Sequence, residues 1–156
     1  MIFLGIDPGT TTIGFALLEK ENNKIRVIEY GVIETPPKLA LPEKILLLYK
    51  DLEELLETYQ PMTVGIEKLF FFRNITNGID VAQARGAILY CLASRGIPIQ
   101  EFTPLQVKRA VTGNGRAEKK QMQKAIQMIL KLREIPKPDD AADALGIAYI
   151  TALQYQ

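Results

Sequence analysis

Residues 1–20 read MIFLGIDPGTTTIGFALLEK. Ile2 to Asp7 form a short apolar run closed by a carboxylate, which predicts a buried strand. Pro8 and Gly9 mark a turn, and residues 12–19 then alternate Ile13, Phe15 and Leu17 with smaller residues, the pattern of a partner strand. Glu21-Asn22-Asn23 is a second turn signal, followed by a third strand from Ile25 to Glu34. The chain is therefore expected to open as an antiparallel meander. A strand ending on a bare carboxylate poses the functional question, because Asp7 suits a plain turn, a phosphate site or a metal site.

Past Pro36, Pro37 and Pro42, residues Ile45, Leu48, Leu52, Leu55, Leu56 and Tyr59 recur at helical spacing, within a segment 43–59 that is rich in acids. Met62 to Glu67 reads as a short strand, and a helix between two strands implies a right-handed crossover, so this strand should run parallel to the first. A helix over about 79–94, a strand over 97–102, helices over about 104–111 and 118–132, and a last helix from near Asp140 complete the pattern. The expected fold class is α/β: a mixed five-stranded sheet, three antiparallel strands and then two parallel, flanked by helices. The 156 residues, 47% hydrophobic and 24% charged, fit one globular domain over 1–156. No run approaches the ~20 apolar residues of a membrane-spanning helix. Residues 1–6 lack the basic flank and length of a secretion signal, so the expected location is the cytoplasm.

Composition excludes much chemistry. The chain has no histidine, which removes Ser-His-Asp triads, histidine general bases and histidine zinc sites together. Cys91 is the only cysteine, so no intramolecular disulfide or thiolate cage can form, and its setting in AILYCLA predicts core packing. Acid–base or metal chemistry falls to carboxylates.

Asp7 and Glu67 both end strands expected to be parallel. If these are neighbours, the acids face each other about 4.8 Å apart on the sheet edge where α/β proteins bind ligands. PDDAADALGIAYI, residues 138–150, places Asp140 and Asp143 on one helical face. The same spacing suits a helix cap, with Asp140 at the N-cap and Asp143 three residues on, and both readings stand at this point. Ala141, Ala142, Ala144 and Gly146 let that helix approach another element closely. Were all four acids to converge, each pair ~4 Å apart would repel by about 4 kcal/mol at an effective dielectric of ~20. Cations or raised pKa values must compensate. Oxygen-only donors favour Mg²⁺ or Mn²⁺, and a pair of such ions serves in-line attack of water on a phosphodiester.

Net charge is only +1, but it is segregated. Lys108, Arg109, Arg116, Lys119, Lys120, Lys124, Lys131 and Arg133 face Glu118 alone between residues 104 and 133, which fits a surface for phosphates or a solvated helix face. In LFFFR, residues 69–73, the three aromatics cannot share one core face, so at least one is expected outside it, stacked on an unpaired base or set in a subunit interface. VTGNGRAEKK, residues 111–120, reads either as a loop offering backbone amides to a phosphate or as a helix-ending turn at Gly113, and it lacks P-loop spacing.

Four segments occur in order: IDPGTTTIGFA at 6–16, IEKLFFFRN at 66–74 with AQARG at 82–86, TPLQVKRAVTGNGRAEKKQMQ at 103–123, and DDAADALGIA at 139–148. Over nearly its whole length the chain thereby resembles the RNase H-like superfamily, and more closely the RuvC family of Holliday-junction resolvases. The resemblance implies a structure-selective endodeoxyribonuclease that resolves four-way junctions in recombination and repair by paired symmetric nicks, leaving 5′-phosphate and 3′-hydroxyl ends. It implies Asp7, Glu67, Asp140 and Asp143 as catalytic, metal-binding acids holding two Mg²⁺ ions, with Mn²⁺ able to substitute. Asp139 stands beside Asp140 as an alternative, which the three-residue spacing to Asp143 disfavours. The resemblance makes Phe70 the aromatic that meets bases near the junction centre, and Lys108 and Lys119 contacts to the DNA backbone. Arg73, Arg116 and Lys120 are further DNA-binding candidates.

Matched cuts in a two-fold junction call for a C2 homodimer, with helix 79–94 as candidate interface. The resemblance also implies a branch-migration complex of a junction-binding protein and a ring ATPase motor as partner. Two other classes compete. Actin-like sugar kinases and ATPases open with a similar strand, Asp, Gly and Thr, but place their nucleotide between two domains, for which this chain lacks room. A non-catalytic junction-binding scaffold would leave four acids without purpose.

Overall fold

The computed structural model describes residues 1–69 and 75–155. Strands β1 (Ile2–Asp7), β2 (Thr12–Glu21), β3 (Lys24–Glu34), β4 (Thr63–Glu67) and β5 (Ile99–Phe102) form one five-stranded sheet in the order β3-β2-β1-β4-β5. β1, β2 and β3 pair antiparallel, and β4 joins β1 and β5 in parallel, which is the expected topology. Helices α1 (Leu41–Tyr59), α2 (Ile75–Ser94), α3 (Pro104–Thr112), α4 (Lys119–Ile129) and α5 (Asp139–Gln154) cover it.

The period-2 alternation of the strands sorts side chains onto two faces. Leu4, Ile6, Ile13, Phe15, Leu17, Val64 and Ile66 pack with Leu48, Leu52 and Leu56 of α1 and Ile88, Cys91 and Leu92 of α2. Cys91 is fully buried there, as its apolar setting predicts. On the other face Ala16 and Leu18 meet α5, which is held from outside by Val107, Val111, Met122 and Ile126 of α3 and α4. Burying a leucine such as Leu4 or Leu145 contributes about 1.5–3 kcal/mol relative to exposure.

Glycines let α5 sit directly on the strands. A Cβ on Gly14 would lie 1.9 Å from the Asp140 carbonyl oxygen, one on Gly5 would lie 2.3 Å from that of Ala144, and one on Gly65 would lie 2.0 Å from Thr151 Oγ1. At the far end of α5, Lys20 Nζ donates to the carbonyls of Ala152 and Tyr155, both at 2.9 Å, satisfying acceptors a helix C-terminus leaves open. Gly146, one of the small residues expected to allow close approach, gives α3 and α4 theirs: a Cβ there would lie 2.5 Å from Met122 Cε and 2.9 Å from Val107 Cγ1.

Several boundaries differ from the sequence reading. α1 starts at Leu41 and takes Pro42 into its first turn, where a missing N–H costs nothing. α2 starts at Ile75 rather than 79, and β5 at Ile99 rather than 97, after Pro98, which has no N–H for a ladder. α4 ends at Ile129 rather than 132, and Lys131 adopts a left-handed φ of 53°. Gly113, at φ 78°, closes α3 by donating its N–H to Arg109 at 2.9 Å, so the glycine segment acts there as a helix-ending turn. The largest difference concerns α5. Its N-cap is Pro138, with no side-chain cap, so Asp140 is not the capping residue and its carboxylate has no such duty.

Candidate active site

Asp7 has the parity of Phe3 and Gly5, and Glu67 that of Thr63 and Gly65, so both acids project on the α5 face at the C-terminal ends of their strands. The parallel register Ile6 to Ile66 puts these next residues side by side. Asp7 pairs across the hairpin with Gly14, and on Gly14 rests the first turn of α5, which delivers Asp140 and Asp143.

One carboxylate oxygen from each of Asp7, Asp140 and Asp143 lies within 4.8 Å of the other two, all on half-buried side chains. Glu67 stands outside this tightest group but shares a cleft of about 210 Å³ with Asp143, lined also by Pro104, Val107, Lys108, Lys119 and Met122. Burial above all, then the charges of Glu67, Asp143 and Asp140, push the Asp7 carboxyl up to about 9. Burial and Asp143 push Glu67 up to about 7 against the pull of Lys108. Asp143 is also raised, chiefly by burial, with Lys119 and Lys108 opposing. This is the electrostatic signature of a site short of positive charge. The donors are oxygens alone, hard ligands that fit Mg²⁺ or Mn²⁺ rather than zinc or copper.

Asp139 is engaged elsewhere: its carboxylate pairs with Lys119 Nζ at 2.6 Å and accepts from Gln123 Nε2 at 2.6 Å. That pairing holds Asp139 below the usual carboxylate range, while its charge still adds to the upward push on Asp143. Lys108 and Lys119 line the cleft. Arg116 and Lys120 are exposed and make no ion pair among the described residues. Phe70 and Arg73 lie outside the described residues.

Several bracing side chains gave no signal in the sequence. Thr35 Oγ1 donates to the Thr10 carbonyl at 2.7 Å and Lys44 Nζ to Thr11 Oγ1 at 2.9 Å, tying the turn after Asp7 to β3 and α1. A Cβ on Gly9 would lie 2.2 Å from the Thr12 carbonyl oxygen, so that turn closes only around glycine. Arg85 of α2 donates from Nε to the Glu67 carbonyl at 3.0 Å and pairs with Glu101 on β5. Each of these side-chain hydrogen bonds joins residues at least 16 positions apart, and polar side chains at such separations carry no periodicity.

The family model described as crossover junction endodeoxyribonuclease RuvC matches residues 3–151. The protein of that name from Petrotoga mobilis is 50% identical over 149 residues, covering 96% of this chain and 91% of the relative. That from Brevibacillus brevis is 47% identical over 156 residues, covering 100% of this chain and 93% of the relative. Among solved structures, Thermus thermophilus RuvC in complex with Holliday junction substrate superposes with a TM-score of 0.87 at 31% identity, covering 97% of this chain and 93% of that one.

Proposed function

The chain belongs to the RuvC family of crossover junction endodeoxyribonucleases, and on that footing we propose that it resolves four-way (Holliday) DNA junctions by paired symmetric phosphodiester hydrolysis. The observation that carries the chemistry is the convergence of Asp7, Asp140 and Asp143 at one end of the sheet, with Glu67 on the same cleft. These acids would hold two divalent ions, Mg²⁺ with Mn²⁺ as substitute. Such ions, when bound, supply Lewis-acid activation of the attacking water and neutralise charge building on the phosphate.

The remaining work falls to the chain itself. The strand ends and the glycine-seated helix fix the four carboxylates before substrate arrives, so little reorganisation remains at the moment of reaction. Lys108 and Lys119, on the cleft wall, would take backbone phosphates beside the scissile one, and Arg116 and Lys120 extend the cationic surface outward. Phe70 is proposed to stack on a base opened at the junction centre, a reading that rests on the family pattern, and Arg73 is proposed as a further DNA contact.

The homodimer follows from substrate symmetry, and α2 offers the seam. Ile79, Gln83, Gly86, Tyr90 and Ala93 share one outward helical stripe, with Ile79 52% and Tyr90 70% exposed. Tyr90→Arg is expected to shift the protein from dimer to monomer in sedimentation equilibrium and to uncouple the two nicks. A dimer of unchanged affinity would remove α2 from the interface. Partnership with a branch-migration complex, and work in the cytoplasm, rest on family membership alone.

The deciding experiment incubates the purified protein with a synthetic mobile four-way junction. Symmetric nicks are expected with Mg²⁺, and binding without nicks in EDTA. Binding without nicks under both conditions would favour the scaffold class, and ATP hydrolysis without DNA would favour the actin-like one.

A further inference from the structure

α2 has two faces with different business. Its outer stripe is exposed, while Arg85 lies on the inner flank beside Ala84, Ile88 and Leu92, its side chain only 14% exposed. The β1–β4 pairing ends at Ile6 opposite Ile66, so the Glu67 carbonyl lies past the last paired residue on that side. It accepts from Arg85 Nε at 3.0 Å. The other end of the guanidinium is clamped by Glu101, which lies opposite Ile66 on β5. A half-buried arginine with its fork divided between a backbone carbonyl and a carboxylate has little rotamer freedom left.

We propose that Arg85 is a positioning residue for metal binding: by fixing the peptide plane after Glu67, it holds the carboxylate of that residue where α5 presents Asp143. β4 fixes the main chain before the Glu67 Cα, and the peptide after it is held at both ends, the Lys68 N–H donating to the Phe102 carbonyl at 2.8 Å and the Glu67 carbonyl accepting from Arg85, so the direction of the Glu67 Cβ is set. Without the guanidinium, that peptide keeps only the bond from the Lys68 N–H to the Phe102 carbonyl, and the Glu67 carbonyl loses its partner. Glu67 has one more torsion than an aspartate and like-charged Asp143 and Asp7 to move away from. This inference rests on Glu67 being a metal ligand.

The test uses the full chain with Arg85→Met, Arg85→Lys and Glu101→Gln, alongside Glu67→Gln. Two quantities are read: the Mg²⁺ concentration giving half-maximal junction cleavage, and Mn²⁺ affinity of the DNA-free protein by electron paramagnetic resonance. Arg85→Met is expected to weaken both about tenfold, the scale typical when a group that orients a ligand is lost. Junction affinity in EDTA should stay within about twofold, because the phosphate-facing cations are untouched. Arg85→Lys keeps one donor for the carbonyl and should fall between, and Glu101→Gln should shift both readings less and in the same direction. A purely structural role would lower melting temperature and leave both metal readings unchanged, and that result in Arg85→Met overturns the proposal. If Arg85→Met does not fold, unchanged metal readings in Arg85→Lys and Glu101→Gln overturn it instead. Retained Mg²⁺-dependent cleavage in Glu67→Gln sinks the reading of Glu67 as ligand. Lost cleavage there, with an unchanged metal response in the Arg85 variants, sinks only the role of Arg85.

Discussion

Asp7→Asn is expected to lower Mg²⁺-dependent junction cleavage by about a thousandfold or more, equivalent to about 4 kcal/mol of barrier, while junction affinity in EDTA is retained. Asp7 is the member of the cluster that meets all the others: its carboxyl feels Glu67, Asp143 and Asp140 at once. Asparagine keeps the shape but offers one neutral oxygen, too weak a donor to balance the positive charge the site is built to hold. The same substitution is expected to raise the melting temperature of the metal-free protein. In that state the folded chain keeps Asp7 protonated up to about 9, against an ordinary value of 3.8. Between those limits the folded state binds a proton that the unfolded state has released. Its contribution to stability is therefore full below the lower value and is lost as pH rises through the upper one. Glu67, raised to about 7, and Asp143, also raised, add in the same direction. Melting curves in EDTA from pH 5 to pH 9 should fall for the unsubstituted protein and flatten for Asp7→Asn, and Mg²⁺ should restore the former alone. A flat profile before substitution, or cleavage surviving in Asp7→Asn, would remove Asp7 from the site.

The strands were legible because each carries a one-dimensional signal. Ile13, Phe15 and Leu17 alternate along β2 and pack on one face, although α5 covers the other face and leaves residues 13–18 all buried, and the turn residues Pro8-Gly9 and Asn22-Asn23 mark the hairpins. The acids were legible in a different way: Asp7 and Glu67 sit at strand ends, and a parallel crossover brings such ends together whatever lies between. What local sequence left open was the role of Asp140 at the start of α5. Asp140 followed by Asp143 has the spacing of a cap, yet Pro138 takes the N-cap position, and a proline at a helix boundary shifts the frame. The three-residue spacing to Asp143 favoured Asp140 over Asp139, and Lys119 and Gln123, which reach across from α4 to take Asp139, support that choice. Arg85, Lys44 and Thr35 were silent, since a polar side chain bonded to a residue distant in the chain leaves no periodic trace.

Gly14→Ala tests whether the seating of α5, and not only its acids, makes the site. The methyl group would fall 1.9 Å from the Asp140 carbonyl oxygen, 2.5 Å from its carbonyl carbon and 3.2 Å from the Ala141 nitrogen. All three are main-chain atoms, so no rotamer change relieves the clash, and the first turn of α5 must lift. The cost expected for such overpacking is about 1–3 kcal/mol, read as a lower denaturation midpoint with an unchanged slope. Catalysis should suffer more than stability. The lift carries Asp140 away from Asp7, the cross-strand neighbour of Gly14, and displacement of a reacting group by ~1 Å can cost about a hundredfold. Gly31→Ala is the control: its methyl group would make ordinary contact with Phe15 at 3.4 Å, on a strand that carries none of the acids. It should change the midpoint by less than about 0.5 kcal/mol and leave cleavage unaltered. If Gly14→Ala folds with full cleavage, α5 can shift without disturbing the carboxylates, and the rigid seat is not what assembles them. If it loses cleavage while keeping a cooperative fold and junction affinity, the glycine opposite Asp7 is as much a part of the metal site as the acids it lets in.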